Sequence, residues 1–81
     1  MTKNELARKL HNADTFHSFD KAAALWAMSW ISKMERANVQ NGREVAAAIN
    51  NVPSAAAYAY EINPTKFDKM FAAFTEWKKG R

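Results

Sequence analysis

Residues 19–38 carry the strongest helical pattern of the chain, since they are rich in Ala, Leu, Met and Glu and contain no Gly or Pro. At about 100° per residue, most of their apolar side chains fall on one broad face. We expect this face to form half of the core: Ala23, Trp26, Ala27, Trp30, Ile31, Met34 and Ala37. The opposite face is polar except for Leu25, and Met28 lies near its border. Asn41-Gly42 should end the helix, because glycine adopts the left-handed conformation favoured at helix ends.

A second apolar stripe lies near the end of the sequence, in residues 64–79. Its large side chains recur at spacings of three and four, which is typical of one helix face: Phe67, Met70, Phe71, Phe74 and Trp77. Asn63, followed by Pro64 in the first turn, provides one helix start. Thr65, with Asp68 three residues later, provides another. We expect this stripe and the apolar face of the preceding long helix to be the two halves of the core.

The first residues predict a short helix over residues 3–12. Thr2 and Glu5 have the spacing of a capping box, in which a hydroxyl and a carboxylate satisfy backbone N–H groups at the helix start. The apolar stripe of this helix consists only of Leu6, Ala7 and Leu10. We therefore expect an ancillary helix that lies on the main body and is followed by a turn over residues 13–18.

Between the two long helices the sequence predicts two shorter elements. Residues 43–51 form a short helix, and residues 52–54 form a turn in which Ser54 caps the next element. Residues 55–62 alternate like a strand, but their Ala content and the lack of a second strand favour a helix. The expected fold is all-α: a compact single-domain bundle, residues 1–81, of four to five short helices with the two long ones at its core.

Length and composition limit the function classes. The chain has 81 residues, of which 48% are hydrophobic, with two glycines and two prolines. This composition fits one globular domain and excludes a disordered or fibrous chain. Without cysteine there is no disulfide and no thiolate metal site. The sequence has no long apolar run and no signal peptide, so we expect a cytoplasmic protein that does not enter a membrane.

Candidate catalytic groups are few. His11, Asp14 and His17 are spaced by three residues and could in principle hold a metal, but no further ligand accompanies them. We interpret them as surface side chains. Two glycines are too few for a phosphate-binding loop. We therefore expect no enzyme activity, no cofactor and no metal.

Residues 45–62 resemble the helix-turn-helix family of DNA-binding proteins: an Ala-rich helix, a turn at residues 50–54, and a second Ala-rich helix with Tyr58 and Tyr60. The resemblance implies that the second helix enters a DNA major groove. Two departures count against that role. An Asn-Asn turn replaces the Gly-containing turn of the family, and residues 44–65 hold no Lys or Arg to contact bases or phosphates. We favour the alternative, that the small residues allow close helix packing.

The cations concentrate at the two ends of the sequence. The chain has 12 Lys and Arg against 8 Asp and Glu, which gives a formal net charge of +4. If the ends meet in the fold, they form one basic face that contacts nucleic acid nonspecifically or an acidic protein. An ordinary solvated surface is the alternative. The members of this basic face are Lys3, Arg8, Lys9, Lys66, Lys69, Lys78, Lys79 and Arg81.

Three residues are candidates for direct contact with a partner. Leu25 and Met28 lie outside the apolar face, and Tyr60 points away from Tyr58 and Ile62. Aromatic residues and Met are enriched in interface cores. The alternative for Leu25 and Met28 is that the first helix covers them. We expect a larger protein or nucleoprotein complex as the partner, and a second copy of the chain is a further alternative.

The expected function is a non-enzymatic inhibitor or adaptor that docks on a larger protein complex. A short chain that begins at Met, without a catalytic set or export signal, fits the class of phage or mobile-element inhibitors of a host machine, such as anti-restriction and anti-CRISPR proteins. No motif identifies that class. The alternative is a small helical DNA-binding or transcription-regulating protein that acts through its basic termini, which would bind with a steep salt dependence.

Overall fold

The computed structural model describes residues 1–80, which form five α-helices and no strand. The helices are α1 Lys3–Asp14, α2 Lys21–Ala37, α3 Gly42–Asn50, α4 Pro53–Ile62 and α5 Pro64–Lys79. The prediction of an all-α bundle of four to five helices is confirmed, and the segment with strand-like alternation lies within α4. Within residues 1–80, no helix combines the length and apolar character needed to cross a membrane. Arg81, a member of the predicted basic face, lies outside the described residues.

The two longest helices, α2 and α5, supply most of the core, as their apolar stripes predict. Trp30 of α2 and Phe74 of α5 belong to one buried cluster. Val39, after α2, and Val45 and Ala46 of α3 extend this cluster. Its members from α2 and α5 are Ala27, Trp30, Ile31, Met34, Phe67, Met70, Phe74 and Trp77. Spacings of three and four place these residues on one face of each helix, so both helices bury a continuous stripe.

Helix α1 is part of the core, and the prediction of an ancillary helix is wrong. It continues to Asp14 and packs against both α2 and α5. Leu6, Ala7 and Leu10 are completely buried. A stripe of three apolar residues suffices because two helices cover it. The width of the stripe can be read from the sequence, but the number of neighbouring helices cannot.

Polar side chains begin four of the five helices. Each accepts a hydrogen bond from the backbone N–H three residues later, and these caps are Thr2, Asp20, Asn41 and Asn63. The interpretation in which Asn63 begins α5 is therefore confirmed, and Thr65 is not its cap. Helix α4 begins at Pro53 without a side-chain cap, so the prediction for Ser54 is wrong. Proline has no N–H that needs a partner at this position.

Gly42 does not end α2. That helix ends at Ala37, and Asn38 takes the left-handed conformation with φ of 52°. Gly42 instead begins α3 and is buried against α5. A Cβ on Gly42 would lie 2.9 Å from the backbone nitrogen of Asp68 and 3.0 Å from the carbonyl carbon of Phe67. Glycine is therefore required for the close approach of α3 to α5.

Helix α4 lies at the edge of the bundle. It packs against α3 and α5, and Ala56 is its one buried residue. Asn51 and Val52 alone separate α3 from α4, and Asn51 takes the left-handed conformation with φ of 58°. The turn is therefore shorter than the predicted turn of residues 50–54. The two helices form a tight pair whose second member leaves most of its surface in solvent.

Candidate functional site

Trp26 lies outside the core, although its spacing predicts burial. Its side chain is 71% exposed, whereas Trp30, one turn later, is 8% exposed. The buried stripe of α2 runs from Ala27 to Met34, so Trp26 stands at the edge of this stripe and its ring remains largely uncovered. Ala37, predicted for the same face, is also exposed. The apolar pattern of α2 is thus broader than the face that the other helices cover.

Leu25 and Met28, proposed together as a partner contact, have different environments. Leu25 is 65% exposed. Met28 is half-buried and packs against the core cluster. The alternative in which the first helix covers both residues is therefore wrong for Leu25. Leu25 remains available for contact with another molecule.

Leu25 belongs to an uncharged area on the outer side of α2. We call this area the α2 surface and define it by four exposed residues on adjacent turns: Ala22, Leu25, Trp26 and Ser29. The hydroxyl of Ser29 donates a hydrogen bond of 2.7 Å to the backbone carbonyl of Trp26. The hydroxyl of Ser32 donates to the carbonyl of Met28 at 3.3 Å. Because both donors are used within the helix, they add little polar character to the surface.

Trp26 borders two grooves. The larger, of about 470 Å³, is lined by Trp26, Trp30 and the loop between α1 and α2. The smaller, of about 360 Å³, lies between α2, Ile49 of α3 and Ala59 of α4, with Lys66 of α5 also in its wall. The exposed indole therefore stands beside two depressions that side chains of a partner can enter.

The loop between α1 and α2 presents a second exposed ring, that of Phe16. Phe19 fixes this loop, because its half-buried ring meets His11 edge to face at 5.4 Å between centroids. Thr15 and His17, on either side of Phe16, line the larger groove. Phe16 therefore lies close to the groove that Trp26 borders, although nothing in its spacing predicts this position.

His11, Asp14 and His17 border the larger groove but have separate roles. His11 is buried, contrary to its interpretation as a surface residue, and its Nδ1 makes no hydrogen bond in the described part of the chain. Asp14 forms an ion pair with Lys66. Nδ1 of His17 lies 3.2 Å from the hydroxyl of Thr15. Among residues 1–80, no three His, Cys, Asp or Glu side chains have an arrangement suited to a metal ion.

Tyr60, a candidate for partner contact, makes its contacts within the fold. Its ring lies 6.3 Å from that of Phe67, and Cζ of Arg43 lies 4.7 Å from the centroid of the Tyr60 ring. The Tyr60 hydroxyl donates to Oδ1 of Asp68 at 3.2 Å. Burial raises the pKa of Tyr60, the hydrogen bond and charge of Asp68 raise it further, and Arg43 opposes the rise. Tyr60 thus connects α3, α4 and α5.

The exposed apolar side chains of α4 are instead Tyr58 and Ile62, which are 66% and 64% exposed. They lie one turn apart, and Ala55 extends the same stripe toward the start of the helix. In the helix-turn-helix interpretation, this helix would face DNA. It would present Tyr, Ile and Ala, none of which carries a positive charge.

The ends of the described chain come together, because α1 packs against α5. Lys9 and Lys69 line one hollow between these helices, together with Glu76. Arg8 lies on another side of α1, where Cζ is 4.7 Å from the centroid of Phe19. Arg8 lines a hollow with Phe19 and Lys21, whereas Lys9 lines the hollow toward α5.

The cations of α5 are also divided. Lys66 pairs with Asp14 in the smaller groove. Lys78 and Lys79 border a hollow next to Val39, and Nζ of Lys78 lies 5.3 Å from the centroid of the Phe74 ring. Lys3 is exposed at the start of α1. The other described cations of α1 and α5 therefore line several different hollows, and Lys66 is already paired with an acid.

The arrangement as a whole is suited to binding. Leu25 and Trp26 of the α2 surface are large and exposed on a helix, and two grooves adjoin Trp26. The position of Leu25 on a polar helix face marks it in the sequence as a candidate for contact. The sequence does not mark Trp26 in this way, because its spacing of four residues from Trp30 is also that of a core residue. In comparisons with known proteins, no protein-family model, curated protein or solved structure matches this chain.

Proposed function

We propose that this protein is a non-enzymatic binding protein that docks on another protein through the α2 surface. One observation carries the proposal: Leu25 and Trp26, adjacent in sequence, are 65% and 71% exposed on a well-formed helix. Scattered apolar residues are ordinary on protein surfaces, but a contiguous apolar area that includes Trp marks an interaction site. Tryptophan is among the residues that dominate binding free energy at interfaces.

The energetic argument follows from burial. Covering an exposed apolar side chain contributes about 1.5 to 3 kcal/mol, so Leu25 and Trp26 together supply several kcal/mol to association. Residues on a helix lose little backbone freedom when they bind, which lowers the entropic cost of association. The hydroxyl of Ser29, the one serine of the surface, is already bonded within α2, so it adds no large desolvation cost.

An inhibitor or adaptor acting on a larger protein complex is the specific form of this proposal. Inhibition requires only that a small domain occupy a surface that the complex needs, and one rigid helix face is sufficient for that. The phage or mobile-element class of inhibitors, including anti-CRISPR and anti-restriction proteins, fits the size of the chain and remains the specific prediction.

DNA binding through basic termini receives less support. Lys9 and Lys69 share one hollow, but most of the other described cations of α1 and α5 border different ones. Lys66 pairs with Asp14, and Arg8 contacts the Phe19 ring within the fold. A protein that follows a phosphate backbone needs several cations on one surface. We therefore propose a protein partner for this chain.

Site-directed photocrosslinking tests the proposal. A photoreactive phenylalanine analogue at position 26 should crosslink one protein in a lysate of the source organism, and Leu25→Asp should abolish that crosslink. The control places the analogue at position 58, which is equally exposed but lies on α4. Crosslinks that are the same at both positions and insensitive to Leu25→Asp would show that the α2 surface is not the docking site.

A further inference from the structure

Three cations surround the α2 surface. Lys21 lies one turn before Leu25, next to Ala22 in sequence, while Lys33 and Arg36 follow the surface. At about 100° per residue, Lys33 lies about 20° from the direction of Trp26, and Arg36 lies about 20° from that of Leu25. At 1.5 Å per residue, the apolar centre from Ala22 to Ser29 is about 10 Å long, and the cations at its two ends are about 18 to 23 Å apart.

The acids near these cations make other contacts. Glu5 lines a hollow together with Lys21 and accepts a hydrogen bond of 3.2 Å from the hydroxyl of Thr2. Within residues 1–80, Lys21, Lys33 and Arg36 form no ion pair. Asp14, in the same grooves, is already paired with Lys66. Asp20 accepts a hydrogen bond of 2.9 Å from the N–H of Ala23 as the cap of α2.

The remaining acid of α2, Glu35, lies on a different side of the helix. It is nine residues from Trp26, which places it about 180° around the helix axis. The α2 surface is therefore an apolar centre with positive charge at both ends. A partner gains most in association rate and specificity by placing negative charges opposite those ends.

A second copy of the chain does not fit this surface. A symmetric dimer pairs the same surface of both subunits. If two α2 helices packed antiparallel, Lys21 of one subunit would face the Lys33 and Arg36 end of its partner. Like charges opposed across an interface are unfavourable, so the charge pattern selects a different molecule.

We infer that the occupant of the α2 surface is an acidic amphipathic helix of another protein, with apolar residues in its middle turns and Asp or Glu near both ends. This inference rests on the proposed function. Apolar anchors at helical spacing would cover Leu25 and Trp26, since an amphipathic helix lays its apolar face on such a surface. The carboxylates would approach Lys21 at one end and Lys33 and Arg36 at the other. A nucleic acid would use the cations but would gain little from Leu25 and Ala22.

The probe is a displayed library of helical peptides of about 18 residues, long enough to span the three cations. The library varies the apolar and charged positions independently and is selected on the wild-type protein, with Leu25→Asp protein used for counter-selection. The expected binders carry Asp or Glu near both ends with apolar residues between, and lose at least about tenfold in affinity against Trp26→Ala. Binders that require Leu25 but are neutral or basic would overturn the inference and leave the proposed function standing. A library without binders that require Leu25 would overturn both.

A charge reversal tests the same inference on the protein side. Lys33→Glu with Arg36→Glu should weaken the selected acidic peptide by about tenfold or more at low salt, and the difference should shrink as salt screens the charges. The matched control is Lys9→Glu with Lys69→Glu, which changes the net charge equally in the hollow between α1 and α5. Equal weakening by both pairs would reduce the effect to net charge and overturn the inference. The inference would also be overturned if a single-stranded oligonucleotide bound more tightly than the selected peptide and required Trp26. It would be overturned as well if sedimentation showed a dimer that Leu25→Asp dissociates.

Discussion

Trp26 and Trp30 lie one turn apart on α2 with ring centroids 6.4 Å apart, yet one ring is largely in solvent and the other is buried. The boundary of the core passes between them. Trp30 packs in the same cluster as Phe74 of α5, which is 1% exposed. The same residue type at adjacent turns therefore supports stability at one position and is available for binding at the other.

The first prediction concerns this difference. Trp30→Ala should lower the free energy of unfolding by about 3 to 5 kcal/mol, because it removes a large ring from a packed core, and Phe74→Ala should have an effect of the same size. Trp26→Ala should change it by less than about 1 kcal/mol. Urea denaturation followed by circular dichroism measures all three. Equal losses for Trp26→Ala and Trp30→Ala would mean that Trp26 supports the core.

The second prediction concerns Gly42. An alanine methyl would lie within 3.0 Å of the α5 backbone, which cannot yield as a flexible side chain does. Gly42→Ala should therefore destabilise the fold by about 1 to 3 kcal/mol, the usual cost of overpacking, despite the better helix propensity of alanine. Gly80→Ala is the control, since the nearest atom to its Cβ lies 3.6 Å away. Thermal melting of both variants is the measurement, and a stabilised Gly42→Ala protein would contradict the packing.

The third prediction is a loss of stability at alkaline pH. The pKa of Tyr60 is raised above 10.0 by burial and then by Asp68, so the folded protein holds this proton more tightly than the unfolded chain. The resulting stabilisation is complete below the unfolded pKa of 10.0 and disappears as the pH rises through the higher folded pKa. Tyr60→Phe should remove this part of the pH dependence.

Urea denaturation at about pH 8 and about pH 11, on either side of the ordinary tyrosine pKa, measures the effect. Wild-type protein should lose more stability between these conditions than the Tyr60→Phe protein. Tyr58→Phe, which leaves the Tyr60–Asp68 hydrogen bond in place, should retain the full loss. An unchanged pH dependence in Tyr60→Phe would show that Tyr60 ionises equally well in the folded and unfolded states.

The fold was largely predictable, because local signals dominate in a helical chain. Spacings of three and four placed Phe67, Phe74 and Trp30 in the core, and Asn63 marked the start of α5. Gly42 shows where local signals fail. This glycine allows the close approach of α5, which lies more than 20 residues away in sequence. The local sequence instead predicts that Gly42 ends a helix.

The candidate site was less predictable, because exposure depends on which helices pack together. The spacing of Trp26 matches the core stripe, but none of the other helices covers its ring. Tyr60 shows the opposite effect: its direction away from Tyr58 and Ile62 predicts contact with a partner, but Arg43, Phe67 and Asp68 engage it within the fold. For Leu25 the sequence leaves two alternatives, a partner contact or coverage by the first helix, and the side chain is 65% exposed. An apolar residue on a polar helix face is a signal in the sequence itself.

The fourth prediction is that α4 does not read DNA. Tyr58→Ser changes a largely exposed aromatic side chain of the would-be recognition helix and should leave the affinity for duplex DNA unchanged, because α4 presents no cation. Lys78→Gln with Lys79→Gln should weaken any nonspecific binding and lower the slope of log K against log salt by about one to two. Fluorescence anisotropy at several salt concentrations measures both. A sequence-specific footprint that Tyr58→Ser abolishes would restore the helix-turn-helix interpretation.

The fifth prediction separates Leu25 from Met28. Leu25→Asp places a charge in solvent and should change the free energy of unfolding by less than about 0.5 to 1 kcal/mol. Met28→Asp places a charge against the core cluster, where desolvation is costly, and should destabilise the protein by about 2 kcal/mol or more.

Partner binding should show the larger effect at Leu25. Leu25→Asp should cost about 2 kcal/mol or more of partner affinity in a protein that remains folded. Denaturation curves and titration of the photocrosslinked partner measure the two effects separately. If Leu25→Asp instead unfolds the domain, Leu25 contributes to the core and the docking surface lies elsewhere, whereas a folded Leu25→Asp protein with full affinity would remove the α2 surface as the binding site.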